Sequence, residues 1–283
     1  MLPGTLVEVG LAGGTGLVRQ VEGPAGAPVV LLLHGWATTS DVTWGHCYEA
    51  LAEHYGVLAM DLRGHGKGPP ARRLTLEQCA DDARSVLDQL AGERTAIAAG
   101  YSMGGAIAQL MAKRHPGSVA ALVLCVTAAR FFPDTAAVTA RRYAIRAAES
   151  LLKGVPQRWR SRLFERQVRR VAQRRQRVLD DWSYGQICSG DLAAVAGAAA
   201  ALRSFDSRPW LQGMELPAAI VTATEDRVLP PDAQQTLGRL LPRAAMTRVQ
   251  GGHDVCVSAP EAFCKALLEA CRSVGACGRA PAG

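Results

Sequence analysis

No stretch of these 283 residues is apolar for long enough to cross a bilayer. The longest apolar runs, residues 28–33 and 193–202, fall well short of the roughly 20 positions that a membrane-spanning helix needs. The opening MLPGTLVEVGLAGGTG lacks the basic segment and following apolar segment of a secretory leader, so a cytoplasmic protein is expected. The eight cysteines, at positions 47, 79, 125, 188, 256, 264, 271 and 277, form no CxxC pair. That removes the usual zinc-site and thioredoxin-type spacings, and free thiols are expected in place of a disulfide framework. Lysine is scarce too, with 28 of the 32 basic residues being arginine. Together with abundant alanine this points to a GC-rich bacterial gene and excludes nothing about function.

What is present suits one globular domain, or one domain carrying a large insertion, with 48% hydrophobic and 20% charged residues. The net charge of +7 is unevenly placed. Residues 128–212 hold 16 Arg and Lys against 7 Asp and Glu, a balance of +9, and the remainder holds 16 against 18, a balance of −2. One segment therefore carries the whole basic excess.

The chain alternates between short β-branched runs and longer amphipathic stretches. Residues 29–34, 55–62, 95–101 and 119–127 read as strands. Residues 75–90 and 104–115 read as helices, and Asp41 reads as the N-cap of a helix toward Glu53. After the basic segment, 218–224 and 245–249 read as strands, and 231–241 and 260–271 as helices. Near-continuous apolar strands separated by helices predict an α/β fold, a mostly parallel central sheet with helices on both faces. Residues 6–9 and 17–21 flank a glycine-rich turn and predict a leading hairpin. Glycines 13, 14 and 16 precede a strand, not a helix, so they read as that turn and not as a phosphate loop. The last six residues, GRAPAG, read as a frayed tail.

The strongest chemical signal is Gly100-Tyr101-Ser102-Met103-Gly104-Gly105, a G-x-S-x-G placed directly after one strand and directly before one helix. A nucleophile on so sharp a bend needs small neighbours, and the following helix aims its N-terminus at charge developing nearby. A serine hydroxyl also needs a base. Among the six histidines, His253 in GGHD lies past the last strand, at the sheet edge where ligands gather. His54 and His115 end helices, and His46 sits on a helix face. Asp226 in TEDRVLP follows a strand and can hold the base in its tautomer, and Glu225 beside it is the alternative acid. The order Ser102, Asp226, His253 accompanies this elbow.

These residues resemble the α/β-hydrolase superfamily, especially bacterial esterases and lipases of the monoacylglycerol-lipase-like and perhydrolase-like kind. The resemblance spans about 200 residues in His34-Gly35-Trp36, Asp61-Leu62-Arg63-Gly64-His65-Gly66, the elbow, the acid turn and the final GGHD. It implies an oxyanion hole from the backbone N–H groups of Trp36 and Met103, with His34 and Asp61 supporting their loops and no chemistry at His65. Members that open epoxides or remove halides carry Asp where this chain has Ser102, which disfavours those activities. The expectation is a serine esterase acting on a small ester or lipid-like molecule, with no cofactor and no metal. Thioesterase, acyltransferase and C–C hydrolase chemistry remain open on the same three residues, as does a non-enzymatic receptor for a small ligand.

The resemblance also makes residues 128–212 a helical cap on a core of 1–127 and 213–283. Within it, 141–152 and 157–181 read as helices, the second dense in arginine, and 193–202 is small and apolar. The plain expectation is a solvated basic outer face over an apolar underside. The sharper one is contact with anionic lipid or an acyl-CoA. A nucleic-acid partner is not expected, because the rest of the chain is not basic.

Overall fold

The computed structural model describes residues 1–71, 73–174 and 180–277. Among these residues eight strands form one sheet: β1 (Thr5–Leu11), β2 (Gly14–Val21), β3 (Val29–Leu33), β4 (Gly56–Met60), β5 (Ala96–Tyr101), β6 (Val119–Cys125), β7 (Ala218–Ala223) and β8 (Ala245–Val249). Their spatial order is β1-β2-β4-β3-β5-β6-β7-β8. The β1–β2 hairpin and the β2–β4 pair are antiparallel, and every other pairing is parallel. The central strand β3 is buried along its whole length, as a strand covered on both faces must be.

Strand alternation splits the core in two. Leu31 and Leu33 point to one side and Val30 and Leu32 to the other. On the first side lie α3 (Leu76–Leu90) and α4 (Met103–Arg114), with Leu76, Ala80, Ala83 and Leu87 of α3 turned inward. Thr75 caps α3 by accepting from the Gln78 N–H at 3.2 Å. On the second side, α1 (Ser40–Trp44), α2 (Tyr48–Ala52) and the final helix bury Trp44, Tyr48, Leu51, Phe263 and Leu267.

Among the described residues five helices lie between β6 and β7: α5 (Ala136–Lys153), α6 (Gln157–Arg174), α7 (Asp181–Cys188), α8 (Leu192–Leu202) and α9 (Arg208–Leu211). Then come α10 (Pro231–Leu240), α11 (Val255–Ser258) and α12 (Pro260–Cys277). The alanine-rich α8 joins the core through Ala194, Ala198, Ala201 and Leu202. Beside it Glu149 of α5 is buried, held by Arg146 at 2.8 Å and Lys153 at 2.9 Å. Arg146 also donates to the Leu74 carbonyl at 3.2 Å and so ties α5 to the sheet side.

Several expected boundaries move. Asp41 is not an N-cap: Thr39 caps α1, and the Asp41 carboxylate is taken by Arg19 at 2.7 Å and by the Tyr48 hydroxyl at 3.0 Å. The single helix expected toward Glu53 is broken by a 3-10 turn at Gly45–Cys47, which carries an exposed His46. The helix expected from 141 begins at Ala136 because Thr135 caps it, and the last helix runs on to Cys277. The helix expected over 157–181 is described as far as Arg174, and α7 opens at Asp181 behind an Asp180 cap. The frayed tail expected at 278–283 lies outside the described residues. The seven cysteines described are free thiols.

Candidate active site

Ser102 sits between β5 and α4 with φ of +51° and ψ of −112°, outside the regions that L-residues ordinarily occupy. The surroundings over-determine it. Its N–H donates to the Cys125 carbonyl at 2.9 Å, and its carbonyl accepts from the Gly105 N–H at 3.0 Å and the Thr127 hydroxyl at 2.7 Å. Gly100 and Gly104 are needed for close approach. A Cβ on Gly100 would stand 2.2 Å from the Gly104 carbonyl oxygen, and one on Gly104 would stand 2.0 Å from that of Leu33. The bend therefore presses two strands and a helix together with no room for side chains, and lifts the hydroxyl out of the backbone.

The loop behind β8 brings His253 to this hydroxyl, with Nε2 2.9 Å from Ser102 Oγ. On the far side of the ring, Nδ1 lies 2.7 Å from Asp226 Oδ2. Asp226 is buried. Its Oδ1 accepts the backbone N–H groups of Val228 at 2.7 Å and Leu229 at 2.9 Å, and its Oδ2 also accepts from Gln234 at 3.0 Å. The alternative acid, Glu225, is exposed and takes Gln250 at 3.3 Å. So the structure brings together the three residues expected from sequence and leaves Glu225 aside. This arrangement allows a proton to pass from Ser102 Oγ to Nε2 while Nδ1–H stays pinned to a carboxylate.

Trp36 and Met103 flank the serine. A Cβ on Gly35 would lie 3.6 Å from the Ser102 Cβ, which puts the 34–36 loop against Ser102. Met103 is fully buried at the head of α4. The Trp36 ring is half exposed, and its Nε1 donates to the Val195 carbonyl of α8 at 2.8 Å. The loop is shaped from below by His34, whose Nδ1 meets the Gly35 carbonyl at 2.7 Å and whose Nε2 accepts the Leu62 N–H at 2.8 Å. Asp61 bonds local backbone, accepting from Ser40 N at 2.7 Å and Lys67 N at 2.9 Å. Of the other histidines, His115 pairs with Asp81 at 2.8 Å and His54 contacts Arg272, both away from the serine. A cleft of about 740 Å³ between the loop after β4 and the α5–α8 segment is lined by Gly66, Pro69, Lys153, Arg160 and Asp191, and Ser102 is not part of its lining.

Three supporting residues escaped the sequence reading. Gln234 is fully buried: its amide donates to Asp226 and to the Leu229 carbonyl, and its oxygen accepts the Ala223 N–H. Tyr101 donates its hydroxyl to the His253 carbonyl at 2.7 Å and so fixes the histidine loop. Thr127 holds the elbow carbonyl. Tyr101 occupies a variable place in G-x-S-x-G, and nothing in sequence separates a buried glutamine from a surface one.

His34 and His65 stack edge to face at 5.3 Å beneath the site, and both are fully buried. Burial pushes the His34 imidazole down to about 4, and burial together with the neighbouring His34 pushes His65 down to about 3. Both folded values lie below the ordinary 6.5, so the unfolded chain takes up these protons first as pH falls. Stability from the pair is therefore full above about pH 6.5 and is lost progressively between 6.5 and 3. Buried Asp61 beside them works in the opposite sense, its carboxyl raised by desolvation. A urea titration series is expected to show unfolding free energy falling by about 2 kcal/mol per pH unit below pH 6. A His65→Asn variant should flatten that slope.

A mostly parallel sheet with an antiparallel leading hairpin, and a strained serine on a sharp turn between strand and helix, are the architecture of the α/β-hydrolase class. The chain belongs to the alpha/beta hydrolase fold family, whose sequence profile matches residues 28–260. It is 31% identical over 254 residues to the pimeloyl-[acyl-carrier protein] methyl ester esterase of Chromobacterium violaceum, covering 88% of this chain and 96% of that one. Among solved structures it is similar to a hydrolase from Pseudomonas aeruginosa, with a TM-score of 0.74 at 25% identity over 94% of this chain and 98% of the other. The enol-lactonase of Burkholderia xenovorans gives a TM-score of 0.73 at 25% identity over 93% and 98%.

Proposed function

We propose that this chain hydrolyses carboxylic esters through a covalent acyl-enzyme, with Ser102 as nucleophile, His253 as general base and acid, and Asp226 as the group that orients and charge-stabilises the imidazole. The observation that carries this reading is the unbroken relay of 2.9 Å from Ser102 Oγ to His253 Nε2 and 2.7 Å from His253 Nδ1 to buried Asp226. As Oγ attacks the ester carbon, Nε2 takes its proton. The carbonyl oxygen becomes an oxyanion, held by the N–H groups of Trp36 and Met103 at the head of α4. Nε2 then returns the proton to the departing alkoxide and leaves Ser102 acylated. Water, deprotonated by the same nitrogen, attacks the acyl-enzyme and releases the acid.

In this reading residues 128–212 act as a cap over the site of a core made by 1–127 and 213–283, in a cytoplasmic enzyme. The bond from Trp36 to Val195 supports it, because the cap helix α8 then touches the loop that binds the oxyanion. The relative that acts on a methyl ester makes esters with small alcohol groups the first substrates to try.

The deciding experiment combines a fluorophosphonate probe with p-nitrophenyl esters of graded chain length. Labelling of the wild type, no labelling of Ser102→Ala, and turnover with a clear chain-length optimum are expected. A wild type that resists the probe and binds esters without turning them over would instead identify a receptor for small ligands.

A further inference from the structure

Packing accounts for one side of α6 and leaves its outer side without a role. Positions 159, 162, 163, 166 and 170 recur at three- and four-residue spacing, so they form one stripe along the helix. They read Trp, Arg, Leu, Arg, Arg, and all five are exposed. Phe164 on the opposite side is buried and anchors the helix, so Trp159 at 49% exposure and Leu163 at 45% add little to the fold.

The helix carries seven arginines against Glu165 alone. Arg160 is spent on Asp191 at 3.1 Å and Arg169 on the Tyr184 hydroxyl at 2.9 Å. Arg162 lies over the Trp159 ring at 5.3 Å. Among the described residues no ion pair engages Arg158, Arg166 or Arg170. A solvated face would explain the arginines. It does not explain a tryptophan and a leucine one turn apart at the middle of that face, where water gains nothing from them.

We propose that this stripe docks on an anionic lipid bilayer, with the arginines at phosphate level and Trp159 and Leu163 seated among the headgroups and upper acyl chains. Charge complementarity selects an anionic partner. The paired apolar side chains on a convex helix select one that offers apolar depth without a preformed groove, which a bilayer does and an acidic protein surface does not. This docking is independent of the chemistry proposed for Ser102, since it is read as binding.

The test is co-sedimentation of the full chain with vesicles of phosphatidylglycerol mixed with phosphatidylcholine, and with vesicles of phosphatidylcholine alone. Binding is expected to the first and not to the second, and to weaken with salt. The triple change R162Q/R166Q/R170Q should weaken partitioning by about 100-fold, roughly fivefold per charge. W159A/L163A should weaken it by about tenfold. Both variants should keep the far-UV spectrum and the p-nitrophenyl acetate turnover of the parent chain. Absence of binding to anionic vesicles at low salt overturns the proposal. So does binding that W159A/L163A leaves unchanged, which would mark a charge-only surface suited to an acidic protein.

Discussion

Ser102→Ala is expected, on the proposed mechanism, to lower kcat for p-nitrophenyl esters by roughly 10⁴- to 10⁶-fold, the range for loss of a nucleophile that works as one unit with its base. The side chain supplies nothing else that the fold uses. The bonds that fix the elbow run through the backbone of residue 102, from its N–H to Cys125 and from Thr127 and Gly105 to its carbonyl. Alanine keeps the Cβ and hence the strained φ, so its melting temperature should match that of the parent chain. Ser102→Gly should be equally inactive yet melt slightly higher, because glycine accepts φ of +51° without strain. Hydrolysis kinetics and a thermal melt on the three proteins check both statements. Turnover surviving in Ser102→Ala would remove the serine from the mechanism.

Asp226→Asn should cost about 10⁴-fold in kcat while leaving the chain folded, and the hydrogen bonds of this particular carboxylate explain why. Oδ1 accepts two backbone N–H groups, from Val228 and Leu229, so the asparagine oxygen has to take that place. The new NH₂ then replaces Oδ2, where it faces both the Gln234 amide and His253 Nδ1. A donor facing Nδ1 drives the imidazole proton to Nε2, and Nε2 can no longer receive the proton of Ser102. A donor facing the Gln234 amide also leaves a buried N–H without an acceptor, at about 1–3 kcal/mol of stability. Reduced kcat with little change in KM, together with a modest drop in denaturation midpoint, is the expected pattern. Near-parental kcat would show that His253 does not depend on Asp226.

The clustering of these groups at one edge of the sheet follows from topology. Parallel strands all end on the same side, so the loops after β3, β5, β7 and β8 deliver Trp36, Ser102, Asp226 and His253 to one place from positions far apart in the chain. The helix α8, from the segment between β6 and β7, touches that edge where the Val195 carbonyl accepts the Trp36 Nε1–H.

Local rules read directly from sequence were enough for the strands, the order of the strands along the chain, the elbow and the meeting of Ser102, His253 and Asp226 at one place. A five-residue apolar strand such as β3, a G-x-S-x-G between strand and helix, and an Asp and a His each placed just behind a strand are short-range patterns. Their meaning depends on nearest neighbours in the chain. Competition between partners distant in sequence needed the tertiary structure. Asp41 lost its capping role because Arg19, twenty-two residues earlier, takes its carboxylate. Asp226, and not Glu225, meets the imidazole because its side chain points inward, to the buried Gln234 amide and His253, and that of Glu225 turns to Gln250. Gln234 and Thr127 gained their roles, and His34 and His65 their depressed imidazoles, from burial and contacts that packing alone creates. A hydrogen bond or a desolvation cost depends on distance and exclusion of water, and spacing along a chain carries neither.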